Sequence, residues 1–273
     1  MRRLVQTLVP RRWRLVIRRQ LRWLPHRLRD LPRDAVGAAF PRAFGGPIPG
    51  PGLRSRVGGI SREEFRRVGR DGAAEILGAF DRARIHGRPY PDWLDFGCGC
   101  GRIARVLAED ARVVRLSGVD VDRDQIRWVQ GRLHGAFAVM RPTPPLDFGA
   151  ASFDVVYAVS IFTHLDEGEQ DRWLDELFRI LRPGGLLIAT THGPDLARSC
   201  PGLTAVHFEE LAARGFLAAD PGGTFNERSS FHSRSYLERA WGRLFTPRSF
   251  EERGFVGYQD LSAWEKGPPA VRP

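Results

Sequence analysis

The chain has 273 residues, 42% of them apolar and 27% charged, enough to bury the core of one globular domain with extensions to spare. No apolar run approaches the roughly 18 residues that cross a bilayer, and no continuous apolar leader stands near the start, so neither a membrane span nor a cleaved signal is expected. The formal net charge of +10 is carried by residues 1–33, which hold eleven arginines and the single acid Asp30; residues 34–273 hold equal numbers of basic and acidic residues. A nucleic-acid groove across the main body is therefore disfavoured.

Arg11 to Leu24 reads as an amphipathic helix. Trp13, Val16, Ile17, Leu21, Trp23 and Leu24 share one side, and six arginines take the other. Two readings stay open for residues 1–33: an interfacial arm on a membrane, or a helix docked on its own domain. An RNA-binding arm ranks below both. Residues 34–60 form a linker rich in proline and glycine. The main domain is taken as residues 61–273. Ser61 with Glu64 three residues on gives a capping signal, predicting a helix to about Ala83 that Gly69 and Gly72 could interrupt.

From Pro91 onward strands and helices alternate, which predicts a mostly parallel, doubly wound sheet. The first strand, Asp92–Phe96, runs into a turn with glycines at 97, 99 and 101 and cysteines at 98 and 100. Glycine tolerates positive φ and leaves bare backbone for a ligand. A helix over 102–108 would direct its N-terminus at an anionic group there. Arg102 stands where a dinucleotide fingerprint needs glycine, so an NAD-dependent oxidoreductase is disfavoured. The second strand, 113–119, ends in Asp120, which lies 23 residues after Gly97. A carboxylate at that tip can accept both ribose hydroxyls of a nucleoside cofactor. Asp122 suits the N-cap of the helix that follows, 123–133. A third strand fits 136–140, and the stretch Met140–Pro145 after it carries no acid.

A fourth strand, Ser152–Ala158, leads through Phe162-Thr163-His164-Leu165 to a helix over 168–181. Arg182-Pro183-Gly184-Gly185 stops that helix, and a fifth strand follows through His192. Residues 194–232 are a long insertion suited to a lid or an acceptor wall, with a short helix at Phe208–Gly215. Ser233 or Ser235 could cap a helix over 236–241. Two last strands, 245–252 and 259–266, suit an antiparallel pair, with Pro247 on an edge.

Asp95 with Gly97-Cys98-Gly99-Cys100-Gly101, Asp120 and the run Leu-Arg-Pro-Gly-Gly-Leu-Leu resembles the class I S-adenosylmethionine-dependent methyltransferases over about residues 90–192. The resemblance implies a Rossmann-like seven-stranded sheet with an antiparallel C-terminal strand. It implies S-adenosyl-L-methionine as cofactor, held by Asp95, Gly97, Cys98, Gly99, Gly101 and Asp120. A finer resemblance, carried by Phe-Thr-His-Leu, Thr-Thr-His-Gly, Phe-His-Ser-Arg and Gln-Asp-Leu, points to a branch associated with bacterial glycans and surface polysaccharides.

His164 and His192 fall at the C-terminal ends of strands four and five, where ligands bind in such sheets, and His232 lies in the insertion. Each is a base for deprotonating a hydroxyl acceptor, or else a hydrogen-bonded structural histidine. No spacing suggests a metal site, and three cysteines without a framework fit a reducing, cytoplasmic setting, with the arm at the inner membrane face if it binds lipid. The leading expectation is O-methylation of a glycan or small hydroxylated acceptor. The alternatives are an RNA methyltransferase using the basic arm and a non-catalytic cofactor-binding module.

Overall fold

The computed structural model describes residues 47–58, 61–200, 202–220 and 228–267. The helix expected at 11–24 lies outside them. The chain divides between Arg67 and Val68 into two compact units. In the first, the end of the expected linker is helical: α1 (Pro51–Arg54) opens on a proline and passes into a 3-10 turn at Ser55–Val57.

Helix α2 (Arg62–Ala83) spans the division and begins where the capping signal places it, with the Glu64 N–H donating to Ser61 Oγ at 3.0 Å. Gly69 and Gly72 do not interrupt it. A Cβ on Gly69 would lie 2.6 Å from the Arg102 carbonyl oxygen, and one on Gly72 would meet Phe255 and Ile103 at 2.8 and 2.9 Å. These glycines let α2 lie directly against the turn that follows the first strand, a packing constraint that helix propensity does not reveal.

The sheet of the second unit runs β3-β2-β1-β4-β5-β9-β8. Its members are β1 (Asp92–Phe96), β2 (Arg115–Asp120), β3 (Ala136–Val139), β4 (Phe153–Ala158), β5 (Leu181–Thr191), β8 (Phe245–Phe255) and β9 (Gln259–Lys266). Pairs within β3-β2-β1-β4-β5 are parallel, and β9 is antiparallel to both β5 and β8. Pro247 sits on the edge strand β8, whose pairing shifts register there. The strand is longer than the expected 245–252, running to Phe255, and turns at Val256-Gly257-Tyr258.

Side chains alternate between two cores, as a doubly covered sheet requires. Trp93, Val155, Tyr157 and Ile188 pack with Ala73, Ile76 and Phe80 of α2, and with α3 (Ala104–Leu107) and α4 (Arg123–Val129). Leu94, Phe96, Val156 and Leu187 pack on the other face with Trp173, Leu174 and Leu177 of α5 (Glu167–Ile180). Helix α5 ends at Ile180, and Gly184 (φ +71°) belongs to the entry of β5 instead of capping the helix. Lys266, the chain's only lysine, closes the helix by donating to the Phe178 and Leu181 carbonyls at 2.6 and 2.8 Å.

The insertion contains α6 (Pro194–Arg198), α7 (Ala205–Arg214) and a two-stranded sheet, β6 (Phe216–Ala219) with β7 (Ser229–His232). It has its own small core of Ala197, Leu203, Leu211, Leu217 and Phe231. Helix α8 (Arg234–Ala240) follows, capped by Ser233 Oγ, which accepts from the Tyr236 N–H at 3.2 Å.

The close approach at α2 gives opposite expectations for two identical substitutions. Gly→Ala in a helix normally stabilises by up to about 1 kcal/mol. At Gly78 the new Cβ would meet only the end of the Arg82 side chain, at 3.2 Å, so Gly78→Ala raises the melting temperature. At Gly69 it collides with backbone, so Gly69→Ala lowers stability by about 1–3 kcal/mol. Thermal unfolding of both variants checks the sign reversal.

Candidate active site

The site lies where the strand order reverses, between the C-terminal ends of β1 and β4, the position at which such sheets bind ligands. The turn after β1 holds Gly97, Gly99 and Gly101 at φ +85°, +53° and +71°, values that disfavour any other residue. Ile161, at the exit of β4, lies directly over Gly97, so close that a Cβ there would overlap its Cδ1. Gly97 and Cys98 both donate to the Val119 carbonyl, at 2.8 and 3.0 Å, and Gly101 donates to Cys98. Cys98 is buried with its Cβ against Gly118, so its side chain faces the core. The helix expected after the turn is one turn long, α3, and its dipole is small. What the turn offers a ligand is therefore bare, close backbone more than a fan of N–H groups.

Asp120 at the tip of β2 ties the turn in place. One carboxylate oxygen accepts from the Gly99 N–H and the other from the Asp122 N–H, both at 2.8 Å. Each oxygen keeps a further lone pair for a ribose hydroxyl. Burial raises its pKa against these backbone donors. Asp122 caps α4, accepting from the Asp124 and Gln125 N–H groups.

Asp95 is the most perturbed acid of the site. It pairs with Tyr157 in the β1–β4 register, and the period of two puts both side chains on the same face. Burial pushes the Asp95 carboxyl up to about 8, offset in part by Tyr157, with Asp120 adding to the rise and Arg102 opposing it. The Tyr157 hydroxyl is fully buried without a well-formed hydrogen bond. A buried carboxyl whose one hydroxyl neighbour does not offset its desolvation, beside a turn of bare glycine backbone, fits a polar cationic group. The methionine end of S-adenosylmethionine carries such a group, and Asp120 stands where its ribose would end, so the residues present fit that cofactor. Neither Tyr157 nor its place beside Asp95 was singled out from the sequence; strand pairing supplies it.

The three histidines lie near one another, His164 and His192 after the ends of β4 and β5 and His232 on β7, which bridges to His192. His164 closes the 3-10 turn Phe162–His164 and is half-buried. Its Nδ1 donates to the Arg228 carbonyl at 3.1 Å, which makes Nε2 the unprotonated nitrogen. Desolvation lowers its pKa below the usual 6.5. His192, at the end of β5, accepts at Nε2 from the Gln259 side-chain amide at 3.1 Å. Burial, with His164 nearby, lowers its pKa to about 4. His232 is fully buried on β7, its N–H bonded to the His192 carbonyl at 2.8 Å. Burial, reinforced by His192, takes its pKa to about 3.

Three polar residues that sequence reading passed over hold this group. Gln170 donates to the Phe162 and Leu165 carbonyls at 3.1 and 3.0 Å, and its side-chain amide lies against His232 Nε2, the nitrogen at 2.9 Å and the oxygen at 3.1 Å. Its signal was present: it shares the apolar stripe of α5 with Trp173, Leu174 and Leu177, an unusual place for an amide. Ser160, held at φ +58°, donates its hydroxyl to Gln259 Oε1 at 3.0 Å. Gln259 in turn fixes the His192 ring. No cluster of three potential metal ligands occurs among the described residues.

Residues 94–185 match a protein family described as a methyltransferase domain. The chain is 31% identical over 186 residues to a Mycolicibacterium smegmatis protein named "probable S-adenosylmethionine-dependent methyltransferase", covering 59% of this chain and 68% of that one. It is 30% identical over 136 residues to an O-methyltransferase of Aspergillus sclerotiorum, spanning 46% of this chain and about half, 48%, of that relative. Among solved structures, an S-adenosylmethionine-dependent methyltransferase of Clostridium acetobutylicum superposes with a TM-score of 0.55 at 12% identity, covering 73% of this chain and 92% of that one. The glycine turn after a buried carboxyl, Asp120 at the second strand tip, the seven-stranded order with one antiparallel strand and these likenesses agree: the chain belongs to the class I S-adenosylmethionine-dependent methyltransferases.

Proposed function

We propose that the protein O-methylates a hydroxylated acceptor, a glycan or a smaller molecule, with His164 as the base. The observation that carries this reading is the tautomer of His164. A half-buried imidazole whose Nδ1–H is given to a backbone carbonyl carries its lone pair on Nε2, the form a base needs, and its lowered pKa keeps it neutral at pH 7. Arg228, whose carbonyl fixes that tautomer, is itself held by Asp166 and Glu169 at 3.1 and 2.7 Å.

S-adenosylmethionine supplies an electrophilic methyl that is displaced in line, so the protein's work is to position two partners and take one proton. Asp95 and the glycine turn hold the methionine end, and Asp120 holds the ribose. Ile161 lies against Gly97 three residues before His164, which supports a base near the cofactor turn. His192 carries its proton on the same nitrogen, Nδ1, but its Nε2 already accepts from the Gln259 amide and its Nδ1 is buried without a partner. His232 is enclosed and holds the insertion to α5 through Gln170. The relatives named O-methyltransferases support transfer to oxygen. The arm at 1–33 stays a proposal: contact with a lipid surface would bring the enzyme to membrane-borne acceptors.

Cofactor binding is expected to release a proton. Free Asp95 is largely protonated below about pH 8, and a cationic ligand favours its ionised form. Affinity for S-adenosylmethionine therefore rises between pH 6 and 8, by up to about tenfold per unit. Titration calorimetry in buffers of different ionisation enthalpy reads the proton directly, and Asp95→Asn abolishes the release while weakening binding.

The base is tested with labelled cofactor against free sugars, lipid-linked glycans and total RNA. His164→Asn is expected to lower turnover by roughly 10²–10⁴ with cofactor affinity unchanged. The acid limb of the wild-type profile falls below pH 6.5, where the imidazole takes up its proton. Full activity in the variant, or methyl transfer to RNA alone, overturns the reading; binding without transfer to any acceptor favours a non-catalytic module.

A further inference from the structure

Two cavities share the segment that follows His192. The smaller is lined by Gly193, Asp195, Phe250, Glu252, Tyr258 and Asp260 among others, and the Tyr258 ring meets the His192 ring edge-on at 5.9 Å. The larger, about 450 Å³, lies among α6, α7 and α8. Pro194 and Arg198 line both, so the cavities meet along α6. Two residues that line the larger cavity lie next to histidines in the chain: Pro194 follows His192 by two residues, and Ser233 follows His232.

Their chemistry differs. The smaller cavity mixes carboxylates, guanidinium groups and an exposed aromatic face, a lining suited to a hydroxylated ring. The larger is lined by Arg198, Arg214 and Arg239, by the hydroxyls of Ser233 and Ser235, and by no carboxylate. Arg214 is paired with Glu167 and Glu210, and Arg198 with Asp195. Arg239 has no carboxylate partner among the described residues. One of its nitrogens donates to the Arg214 carbonyl at 3.0 Å, and its guanidinium lies 5.5 Å over the Tyr236 ring. A guanidinium has five N–H donors in a planar fork that matches phosphate or carboxylate oxygens. Phe208, Leu211 and the Gly215 backbone supply an apolar floor. At Gly215 a side chain would collide with Ser233, at 2.4 Å, and fill that floor.

We propose that the larger cavity is an anion-binding subsite for the acceptor. The hydroxyl to be methylated lies toward His192 and His164, and a phosphate or carboxylate on the same molecule is gripped by Arg239, with Arg198 and the two serine hydroxyls beside it. This rests on the acceptor reading above and narrows it to anionic hydroxylated molecules, whether a sugar phosphate or a phosphate-bearing lipid carrier.

The test is binding, read apart from methyl transfer. Isothermal titration of the full chain with glucose 1-phosphate, glucose and inorganic phosphate is expected to give binding for the two phosphates and none for glucose. Arg239→Gln weakens both phosphates about tenfold or more, Arg198→Gln weakens them less, and neither changes affinity for S-adenosylmethionine. Vesicles containing phosphatidic acid, tested with the same variants, separate a lipid source from a soluble one. Phosphate binding that survives Arg239→Gln belongs to arginines elsewhere in the chain and overturns the proposal, as does absence of binding. Anion binding lost with Arg239, together with no transfer to any hydroxyl, would sink the O-methylation reading alone.

Discussion

The pairing of β1 with β4 is the constraint on which the rest of the structure depends. It sets Asp95 opposite Tyr157 on a buried face, at the strand ends where the topology reverses. A carboxyl enclosed in that way resists ionisation, and its pKa near 8 measures how far the surroundings fall short of compensating a charge. The fold tolerates a group that a pure stability argument would replace with an apolar one. That deficit is what a cationic ligand can make good, so the cost carried by the free protein becomes selectivity for the ligand's charge.

The opposite end of the sheet shows the same residue type handled in the opposite way. At the N-terminal ends of β1 and β4, Asp92 and Asp154 are bridged by Arg182 at 2.8 and 2.6 Å, with Arg115 on Asp92 and Arg88 on Asp154. Asp92 is held below its usual range, first by its Arg115 hydrogen bond. Charged carboxylates clamp strands together at that end. At the other end the acid and the histidines sit in surroundings that favour their neutral forms. The polarity of a parallel sheet thus separates a structural edge from a chemical one.

The parts of the fold written in local sequence were readable. The glycine turn, Asp120, the Asp122 cap, the strand alternation and the proline on an edge strand each follow from one residue's own preferences. The parts set by contact across distance were not. Gly69 and Gly72 look like helix breakers until the Arg102 carbonyl and Phe255 are seen against them. Gly184 looks like a helix cap, but Lys266 closes α5 from a strand 85 residues away. Tyr157, Gln170 and Gln259 have ordinary neighbours in sequence. Their roles come from strand register, from a polar position on an apolar stripe, and from an antiparallel strand that returns at the end of the chain.

Choosing among the three histidines illustrates the same point at the level of protons. Sequence places two of them at the correct strand ends and ranks them equally. All three are neutral at physiological pH, so pKa does not choose between them. The partner of each ring does. A carbonyl accepts the Nδ1–H of His164; an amide N–H is given to Nε2 of His192; the Gln170 side-chain amide lies against Nε2 of His232 inside the core. The partners that Arg228, Gln259 and Gln170 supply, each brought in from a distant part of the chain, are what distinguish these chemically identical side chains.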